Sequence, residues 1–444
     1  MNRALVAPTG QLERMANPAL LCDASYYGTL AAARALGKEG VPVFVADSQW
    51  VAPASWSCHI AGRLSCPPVA DVENFVDWLL WIGKRHSNCV ICPTSDELCF
   101  VLAAFREDLA QTFSLYQPEL SVVEQLLDKG RLLEHARAVG LDVPETWLPE
   151  SDADVDRAQR ECAGPILIKP RTQILLSTHN KGSLIQREGT GLRLAYERFI
   201  RGNTYAPAVR ERLSAATRPM LQRYYPEATE RVYSLAGFRD RTGCHFVAFA
   251  ANKVLQRPRS MGVGLCFEEA VVDQNLLEGG QELLKRVGYY GVFELEFIRV
   301  GGRSLLIDAN PRFYNQLAFD VARGLPLPQL AYAGALGQED VVERLFAGLG
   351  GRRPSRTHAF CNQLSLGVMV RAERILGAMS GEEATRWRDW RRDRNGSLVD
   401  AVADPEDPGP YVAEVARQVL DVVRSPRLFW RIHRSRPRLA THAE

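Results

Sequence analysis

Three polar residues follow the apolar run 305–307 at alternate positions: Asp308, Asn310 and Arg312. Side chains at alternate positions of a β-strand point to the same face. A carboxylate, an amide and a guanidinium would therefore lie side by side at the edge of an apolar core. Because buried polar and charged groups are costly unless a partner compensates them, this spacing predicts a site for a charged ligand.

The preceding strand supplies a second carboxylate for the same site. The run "VFELEFI" predicts a strand with Glu294 and Glu296 on one face, and the turn "GGR" predicts a hairpin that brings Glu296 opposite Asp308. Two adjacent carboxylates repel each other unless a cation lies between them. Oxygen ligands without cysteine or histidine suit Mg²⁺, and the fork of Arg312 suits a phosphate. The pattern predicts a Mg²⁺–triphosphate site; the alternative is an ion-pair cluster with a structural role.

Two lysines are candidates for the phosphate side of this site. Lys169 ends the apolar run "PILIKP", where an unpaired ammonium would be poorly placed, and Lys129 follows Asp128. A lysine ammonium is a point charge that suits phosphate oxygens. Taken alone, a lysine at the end of an element is more often simply solvated, so these two gain weight only beside the acidic hairpin.

The first third of the chain alternates apolar runs with amphipathic stretches. "PALLCD", "VPVFVAD" and "NCVICPT" predict strands, whereas residues 25–40, 71–86 and 96–109 predict helices. This alternation predicts a parallel, doubly wound sheet that binds ligands beyond the carboxyl ends of its strands, near residues 23–28 and 93–97. No G-x-G-x-x-G fingerprint follows the first strand, which argues against an NAD enzyme.

The remaining chain changes character twice. A helix is predicted from residue 119 to a stop at Gly140, and predicted strands dominate after residue 219. Beyond about residue 350 the chain is rich in arginine; "RDWRRDRNGS" and "DPEDPGP" predict loops, and "YVAEVARQVLDVV" predicts a helix. We divide the chain into a Rossmann-like layer (1–118), a linker helix with a small lid subdomain (119–219), a large β-rich subdomain (220–350) and an Arg-rich C-terminal extension (351–444).

The composition is that of a globular enzyme. The chain has 444 residues, of which 46% are hydrophobic and 24% charged, enough for two or three domains. A formal net charge of +2 is too balanced to argue for a nucleic-acid-binding protein, and no nucleic-acid partner is expected. The ten cysteines are irregularly spaced and several lie in apolar runs, which predicts buried, inert thiols in a reducing compartment. Without a signal-peptide pattern or an apolar run of spanning length, a cytoplasmic location is expected.

Taken in order, the runs "DK", "ILIKP", "MLQRYY", "VFELEF" and "LLIDANPR" resemble the ATP-grasp superfamily over roughly residues 18–335. That superfamily includes carbamoyl-phosphate synthetase, biotin carboxylase and D-alanine–D-alanine ligase. The stretch "KVLQRPRSMGVGLCFEEA", together with "YYGTLAAARAL", is most similar to predicted ATP-dependent carboligases related to D-aspartate ligase. The resemblance implies a mixed α/β and α+β fold, in which a Rossmann-like pre-ATP-grasp layer is followed by the two-part ATP-grasp fold.

The resemblance also implies roles for individual residues. The residues implied to bind ATP are Lys129, Lys169, Lys181, Gln222, Tyr224, Tyr225 and Glu230. Those implied to bind two Mg²⁺ ions, for which Mn²⁺ is expected to substitute, are Glu296, Asp308 and Asn310. Those implied to assist catalysis are Arg312, Lys253 and Arg259. One departure is that Asp308 stands where many relatives have glutamate, which shortens the reach to the metal.

The implied reaction is ATP-dependent joining of a carboxylate and an amine through an acyl phosphate, with release of ADP and phosphate. The alternatives are an ATP-grasp carboxylase or kinase with another acceptor, and a non-catalytic nucleotide-binding regulator. The expected partners are small-molecule substrates, with Tyr26, Tyr27, Arg257 and Arg259 as candidate anchors for an acidic one. A homodimer is expected from the families resembled. The basic tail from Arg424 onward predicts either a solvated helix end or weak contact with an anionic membrane surface.

Overall fold

The structure, a computed structural model, describes residues 17–86, 88–178, 182–185, 191–226, 232–259, 262–349 and 356–425. Its strands are β1 Ala19–Leu21, β2 Val43–Asp47, β3 Gly62–Ser65, β4 Cys89–Ile91, β5 Phe113–Leu115, β6 Thr146–Trp147, β7 Ile166–Lys169, β8 Ser183–Ile185, β9 Met220–Arg223, β10 Val232–Arg239, β11 Phe246–Arg257, β12 Val263–Ala270, β13 Gly291–Val300, β14 Arg303–Asn310, β15 Ala359–Cys361 and β16 Leu398–Asp400. Its helices are α1 Tyr27–Lys38, α2 Val72–Arg85, α3 Asp96–Ala104, α4 Arg106–Leu109, α5 Leu120–Leu127, α6 Lys129–Ala138, α7 Asp152–Glu161, α8 Leu192–Gly202, α9 Pro207–Arg212, α10 Gln274–Val287, α11 Leu317–Ala322, α12 Leu327–Ala335, α13 Glu339–Ala347, α14 Gln363–Ile375, α15 Gly381–Asp393 and α16 Gly409–Arg424.

The N-terminal layer is a parallel five-stranded sheet in the order β3-β2-β1-β4-β5. Helix α1 packs on one face, where Leu30 joins Leu21 in one core cluster. Helices α2 and α3 pack on the other face, where Phe75 joins Leu20 in a second cluster. Successive residues of β1 thus point to opposite cores, and the predicted doubly wound layer is confirmed.

The single helix predicted after residue 119 is wrong, because the chain forms two helices, α5 and α6. Asp128 lies between them in an extended conformation and caps α6, since its Oδ1 accepts a hydrogen bond from the Gly130 backbone N–H at 2.8 Å. The same carboxylate accepts from Arg171 Nε at 2.8 Å. An aspartate that bonds to nearby backbone competes with helix continuation, so the break places Lys129 at the first turn of a new helix.

A small antiparallel sheet with the order β6-β9-β7-β8 follows the linker helices. Strand β9 belongs to this sheet, although the predicted division assigned residues from 220 onward to the large subdomain. Pairing of β9 with β7 places Lys169 opposite Met220 and sets Gln222 opposite Leu167. Strand β9, which follows the predicted lid in the sequence, is therefore an inner strand of the small sheet.

The large sheet has seven strands in the order β14-β13-β10-β11-β12-β15-β16. The predicted hairpin of β13 and β14 is present, and its turn contains Gly301 and Gly302 at φ of 55° and 80°. Positive φ at both turn residues suits the twist of a two-residue hairpin, and glycine adopts it without a steric penalty. Strands β15 and β16, which come from the region beyond residue 350, complete the far edge of this sheet.

The Arg-rich region is more regular than predicted. The loop prediction for "RDWRRDRNGS" is wrong over most of its length, because helix α15 continues to Asp393. Ser380 caps this helix by accepting from the Glu383 backbone N–H at 3.1 Å, and Trp387 and Trp390 are buried beneath it. In the sequence, the neighbouring arginines hide the helical spacing of these two buried tryptophans. The helix predicted over "YVAEVARQVLDVV" is confirmed as α16.

The N-terminal layer and the large sheet pack closely where α1 begins. A Cβ atom at Gly28 would lie 2.6 Å from the backbone oxygen of Tyr314, so only glycine permits this approach. Eight of the ten cysteines are buried, as predicted, whereas Cys58 and Cys244 are exposed; all ten are reduced. Within the described ranges, no helix combines the length and the apolar character needed to cross a membrane.

Candidate active site

The register of the β13–β14 hairpin brings four polar side chains together. Glu296 pairs with Asp308 and Glu294 pairs with Asn310, so the predicted meeting of Glu296 and Asp308 is confirmed. The register then skips Ile307, which is the extra residue of a β-bulge. A bulge re-aims the side chains around it, and both Ile307 and Asp308 line the same cavity.

Two buried lysines pair with the hairpin carboxylates. The ammonium of Lys129, at the start of α6, forms an ion pair with Asp308, and that of Lys253, on β11, forms one with Glu296. Burial works to raise the pKa of Asp308, yet the ammonium groups of Lys129 and Lys169 outweigh it and hold this pKa below its ordinary value. Burial works to lower the pKa of Lys253, but the carboxylates of Glu296 and Glu294 outweigh it and raise this pKa. Asp308 and Lys253 are therefore held in their ionised forms.

The cavity lies between the small sheet and the large sheet. Eight of the predicted site residues line it: Lys129, Lys169, Gln222, Tyr224, Tyr225, Lys253, Glu296 and Asp308. The sequence interpretation missed its apolar walls, formed by Leu167, Ile298 and Ile307. Two further predicted residues, Lys181 and Glu230, lie outside the described part of the chain.

Strand β9 forms the side of the cavity that the resemblance assigns to adenine. The amide of Gln222 is buried and donates to Thr146 Oγ1 at 3.1 Å. The Tyr224 backbone N–H donates to the carbonyl of Pro165 at 2.8 Å, which fixes the chain as it leaves the strand. The Arg223 guanidinium lies 5.0 Å from the ring centroid of Tyr225. Tyr224 and Tyr225 give this side of the cavity aromatic side chains, which suit a planar base.

Glu294 is a buried carboxyl group behind the metal-ligand candidates. Its Oε1 accepts from Ser234 Oγ at 2.6 Å and from the Gln316 amide, and its Oε2 accepts from Asn310 Nδ2 at 2.9 Å. Burial, reinforced by the neighbouring Glu296 carboxylate, raises the pKa of Glu294 to about 7. The contact with Nδ2 fixes which way the Asn310 amide faces, with Oδ1 directed away from Glu294.

Arg312 lies at the junction between the hairpin and the N-terminal layer, not in the cavity. Its Nε donates to Asp96 Oδ1 at 2.6 Å, its Nη2 to Asn310 Oδ1 at 2.9 Å and its Nη1 to the Phe313 carbonyl at 3.0 Å. Although burial works to lower the pKa of Arg312, the Asp96 carboxylate raises it above its ordinary value. The sequence interpretation missed Asp96, although it lies in the predicted ligand edge at residues 93–97.

The same edge of the first sheet is acidic. Burial raises the pKa of Asp23 to about 6, although the Ser95 hydroxyl, 2.6 Å from its Oδ2, opposes this rise. Burial, together with the adjacent Asp96 carboxylate, raises the pKa of Glu97 to about 7.

Two of the candidate anchors for an acidic substrate are already engaged elsewhere. The Tyr27 hydroxyl donates to Glu414 Oε1 at 2.9 Å. The Arg259 guanidinium pairs with Glu383 of α15 and lies 3.9 Å from Glu373 of α14, outside the lining of the cavity. The structure therefore places Arg259 in a contact with the C-terminal helices and outside the cavity, whereas it was predicted to assist catalysis and to anchor an acidic substrate.

The donor set fits Mg²⁺. Glu296 and Asp308 offer paired carboxylates from adjacent strands, and the oxygen of Asn310 keeps a second lone pair beside the one that Arg312 uses. An all-oxygen set of this kind is typical of Mg²⁺ sites. Lys129 pairs with Asp308 and Lys253 pairs with Glu296, so positive charge lies beside both carboxylates, as it would with a bound metal ion.

Comparison with solved structures places this architecture in a known fold. The chain is similar to the biotin carboxylase domain dimer of 2-oxoglutarate carboxylase from Hydrogenobacter thermophilus, in complex with MgADP, ADP and bicarbonate (TM-score 0.57, 16% identity, 73% of this chain and 70% of that chain). It is also similar to biotin carboxylase from Campylobacter jejuni in complex with β-γ-ATP (0.56, 14%, 73% and 72%). A third similar structure is N5-carboxyaminoimidazole synthetase from Staphylococcus aureus complexed with ADP (0.54, 15%, 72% and 78%).

Searches with protein-family models and among curated proteins returned no match. The structural neighbours share the ATP-grasp fold, so this chain has the ATP-grasp fold and the fold predicted from its sequence is confirmed. At identities of 14–16% the likeness establishes the fold alone. The activity has to be argued from the residues of the cavity.

Proposed function

We propose that the protein is an ATP-dependent carboxylate–amine ligase that forms an amide through an acyl phosphate. The observation that carries the proposal is the charge arrangement of the cavity. Lys129, Lys169 and Lys253 converge there on the paired carboxylates of Glu296 and Asp308. Lysines suit the oxygens of a triphosphate and paired carboxylates suit its metal ions, so one cavity meets both requirements.

The reaction has two steps in this proposal. A carboxylate oxygen attacks the γ-phosphorus of ATP, the bond from that phosphorus to the bridging oxygen breaks, and ADP leaves. The amine nitrogen then attacks the acyl carbon, the carbon–oxygen bond to phosphate breaks, and phosphate and a proton are released. Phosphoryl transfer of this kind depends on positioning and charge stabilisation, so no side chain has to act as a nucleophile.

The residues divide by position along the nucleotide. Strand β9 and the following tyrosines, Tyr224 and Tyr225, would hold the base, while Lys129 and Lys169 would bind phosphate oxygens. Lys253 would lie beside the group in transfer. Mg²⁺ held by Glu296, Asp308 and Asn310 would supply neutralisation of the phosphate charge. Arg312, with Asp96, would sit at the acceptor side of the site.

The test measures ADP and phosphate release with ATP and Mg²⁺ while carboxylates and amines are screened in pairs, and hydroxylamine traps the acyl phosphate as a hydroxamate. ADP formed only with a carboxylate and an amine, and lost in Asp308→Asn, supports the ligase. Asp142→Asn, which changes an exposed carboxylate paired with Arg303, is the matched control and should keep activity. ADP release that depends on bicarbonate would indicate a carboxylase. Stable phosphorylation of one substrate would indicate a kinase. Tight ATP binding without turnover would indicate a nucleotide-binding regulator.

A further inference from the structure

The segment that leads into helix α16 is anchored on the N-terminal layer by Asp407. Its carboxylate is fully buried, and its Oδ2 accepts from Ser57 Oγ at 2.7 Å and from Arg34 Nε at 2.8 Å. Its Oδ1 accepts from the Cys58 backbone N–H at 2.8 Å. A carboxylate oxygen has two lone pairs, so Oδ1 can take a further partner.

Two more potential metal ligands lie beside this carboxylate. The thiol of Cys58, an imidazole nitrogen of His59 and a carboxylate oxygen of Asp407 lie within 4.8 Å of one another. Around a tetrahedral Zn²⁺ ion, ligand atoms of these types are about 3.4–3.6 Å apart. Small side-chain rotations are therefore enough to bring all three onto one ion. The Glu406 carbonyl oxygen, 3.5 Å from Cys58 Sγ, lies at the spacing of a fourth ligand.

The imidazole of His59 has an unmet polar atom. Its Nε2 is buried and has no hydrogen-bond partner in the part of the chain that the structure describes. Buried polar atoms without a partner are rare because each costs free energy, so this nitrogen needs an explanation. The anchoring of Asp407 by Ser57 and Arg34 involves neither the imidazole nor the thiol and does not supply one. Coordination of a metal ion by the ring does.

The charges around the cluster favour a divalent cation. Arg34 pairs with Asp407, and Lys38 lies 3.7 Å from both Asp404 and Glu406. Two cationic and three anionic side chains give a net charge of −1, which becomes −2 when the thiol loses its proton to bind a metal. A thiolate, an imidazole and a carboxylate together suit Zn²⁺, whereas Mg²⁺ prefers oxygen ligands alone.

We propose that Cys58, His59 and Asp407 bind a Zn²⁺ ion that fastens the C-terminal extension to the N-terminal layer. Cys58 and His59 precede strand β3 of the layer, whereas Asp407 lies in the extension just before α16. The two segments touch there, since a Cβ atom at Gly409 would lie 2.1 Å from the Trp56 carbonyl oxygen. An ion held by both segments stabilises the folded arrangement, because the unfolded chain does not hold these ligands together. The proposal is independent of the ligase reaction, because none of these residues lines the cavity.

The test uses the full-length protein, reduced and freed of metal by a chelator. Excess Mg²⁺ in the buffer competes for the all-oxygen ligands of the cavity, and Co²⁺ is added as a spectroscopic substitute for Zn²⁺. We expect a thiolate-to-cobalt charge-transfer band that saturates at an equimolar amount of Co²⁺ and disappears when Zn²⁺ displaces it. Cys58→Ser should lose this band. His59→Asn should weaken Zn²⁺ affinity at least about tenfold, since even the loss of an outer partner of a ligand costs that much.

The matched control is Cys244→Ser, at the other exposed thiol, which should keep the band and the affinity of the wild type. Thermal unfolding measures the fastening of the extension. Zn²⁺ should raise the Tm of the wild type and of Cys244→Ser but not that of Cys58→Ser, because a ligand that binds only the folded state stabilises it. Circular dichroism without metal shows whether each variant is folded.

Two results would overturn the zinc site: a wild-type cobalt spectrum without the charge-transfer band, or a band that Cys58→Ser leaves intact. A band that depends on Cys58, without a rise in the Tm of the wild type, would overturn the fastening of the extension.

Discussion

Arg312 Nε lies 2.6 Å from Asp96 Oδ1, and this ion pair joins the end of the β13–β14 hairpin to the first turn of helix α3 in the N-terminal layer. Three of the five N–H groups of the guanidinium are used by Asp96, Asn310 and the Phe313 carbonyl. Among the described residues, the other two N–H groups have no acceptor, and the contact with Asp96 orients them. Asp96 is therefore a positioning residue for Arg312.

Asp96→Asn should lower kcat by roughly 10- to 100-fold, because a guanidinium displaced by even a small distance stabilises a transferring phosphoryl group poorly. The KM for ATP should change by less than about threefold, since Arg312 does not line the cavity proposed to bind ATP. Steady-state kinetics with the pair of substrates found in the screen measures both constants.

Asp96→Glu should recover part of the rate, and Asp108→Asn, at an exposed position of the same layer, is the control. A raised KM with unchanged kcat would contradict a positioning role.

Glu294→Gln should destabilise the protein by about 1–3 kcal/mol, the usual cost of an unmet buried donor. The carboxylate accepts hydrogen bonds at both oxygens from the amides of Gln316 and Asn310. A glutamine amide would turn its own NH₂ group toward one of these donors. Urea denaturation measures the loss, and Glu282→Gln on the exposed side of α10 serves as the control. Stability equal to that of the wild type would show that the network accepts a neutral side chain.

The pH dependence of stability should report the buried carboxyl at Asp23. Burial raises the pKa of Asp23 from 3.8 to about 6, so the folded state holds the proton more tightly than the unfolded state. Stability contributed by this group is full below the unfolded pKa and falls as the pH rises from about 3.8 to about 6. Over that window, the wild type should lose up to about 3 kcal/mol relative to Asp23→Asn.

Asparagine suits this test because Asp23 has a φ of 55°, a conformation that asparagine also adopts. Urea unfolding between pH 4 and pH 8 gives the difference between the two proteins. Glu97→Gln should show the same sign, with a window that extends to about pH 7. A difference that stays constant with pH would mean that Asp23 titrates in the folded protein as it does in the unfolded chain.

Gly28→Ala should destabilise the contact between the N-terminal layer and the large sheet by about 1–3 kcal/mol. The added Cβ would lie 2.6 Å from the Tyr314 backbone oxygen, and a backbone atom cannot move aside as a side chain can. Gly367→Ala is the matched control, because it lies within α14 with no atom near its added Cβ and should be neutral or slightly stabilising. Thermal unfolding of the two variants checks the prediction, which fails if both behave alike.

Local patterns predicted much of this fold. Alternating apolar runs gave the parallel sheet, and the turn at Gly301 and Gly302 gave the hairpin with its facing pair, Glu296 and Asp308. These features depend on residues close together in the chain. The break at Asp128 was missed because the contact that holds it, with Arg171, joins distant residues. Asp96 and Arg312 are also far apart in the chain, so the sequence did not reveal them as partners.

The bulge at Ile307 shows a second kind of limit. Strict alternation predicted that only every second residue of β14 would face the site, but the skipped register turns Ile307 toward the cavity beside Asp308. Bulges are determined by the packing of the whole sheet rather than by a local residue type. The placement of Arg259 against Glu383 likewise depends on α15, a helix that the charge pattern concealed.

Strands β15 and β16 have a consequence for synthesis on the ribosome. They cover the edge of β12, and they are made only after the described residues that line the cavity have been translated. Until residues 359–361 emerge, β12 presents unpaired backbone N–H and C=O groups in a growing chain whose other sheet strands are already available. An unpaired strand edge is a template for pairing with other chains, so a nascent chain paused between β14 and β15 would be prone to aggregation.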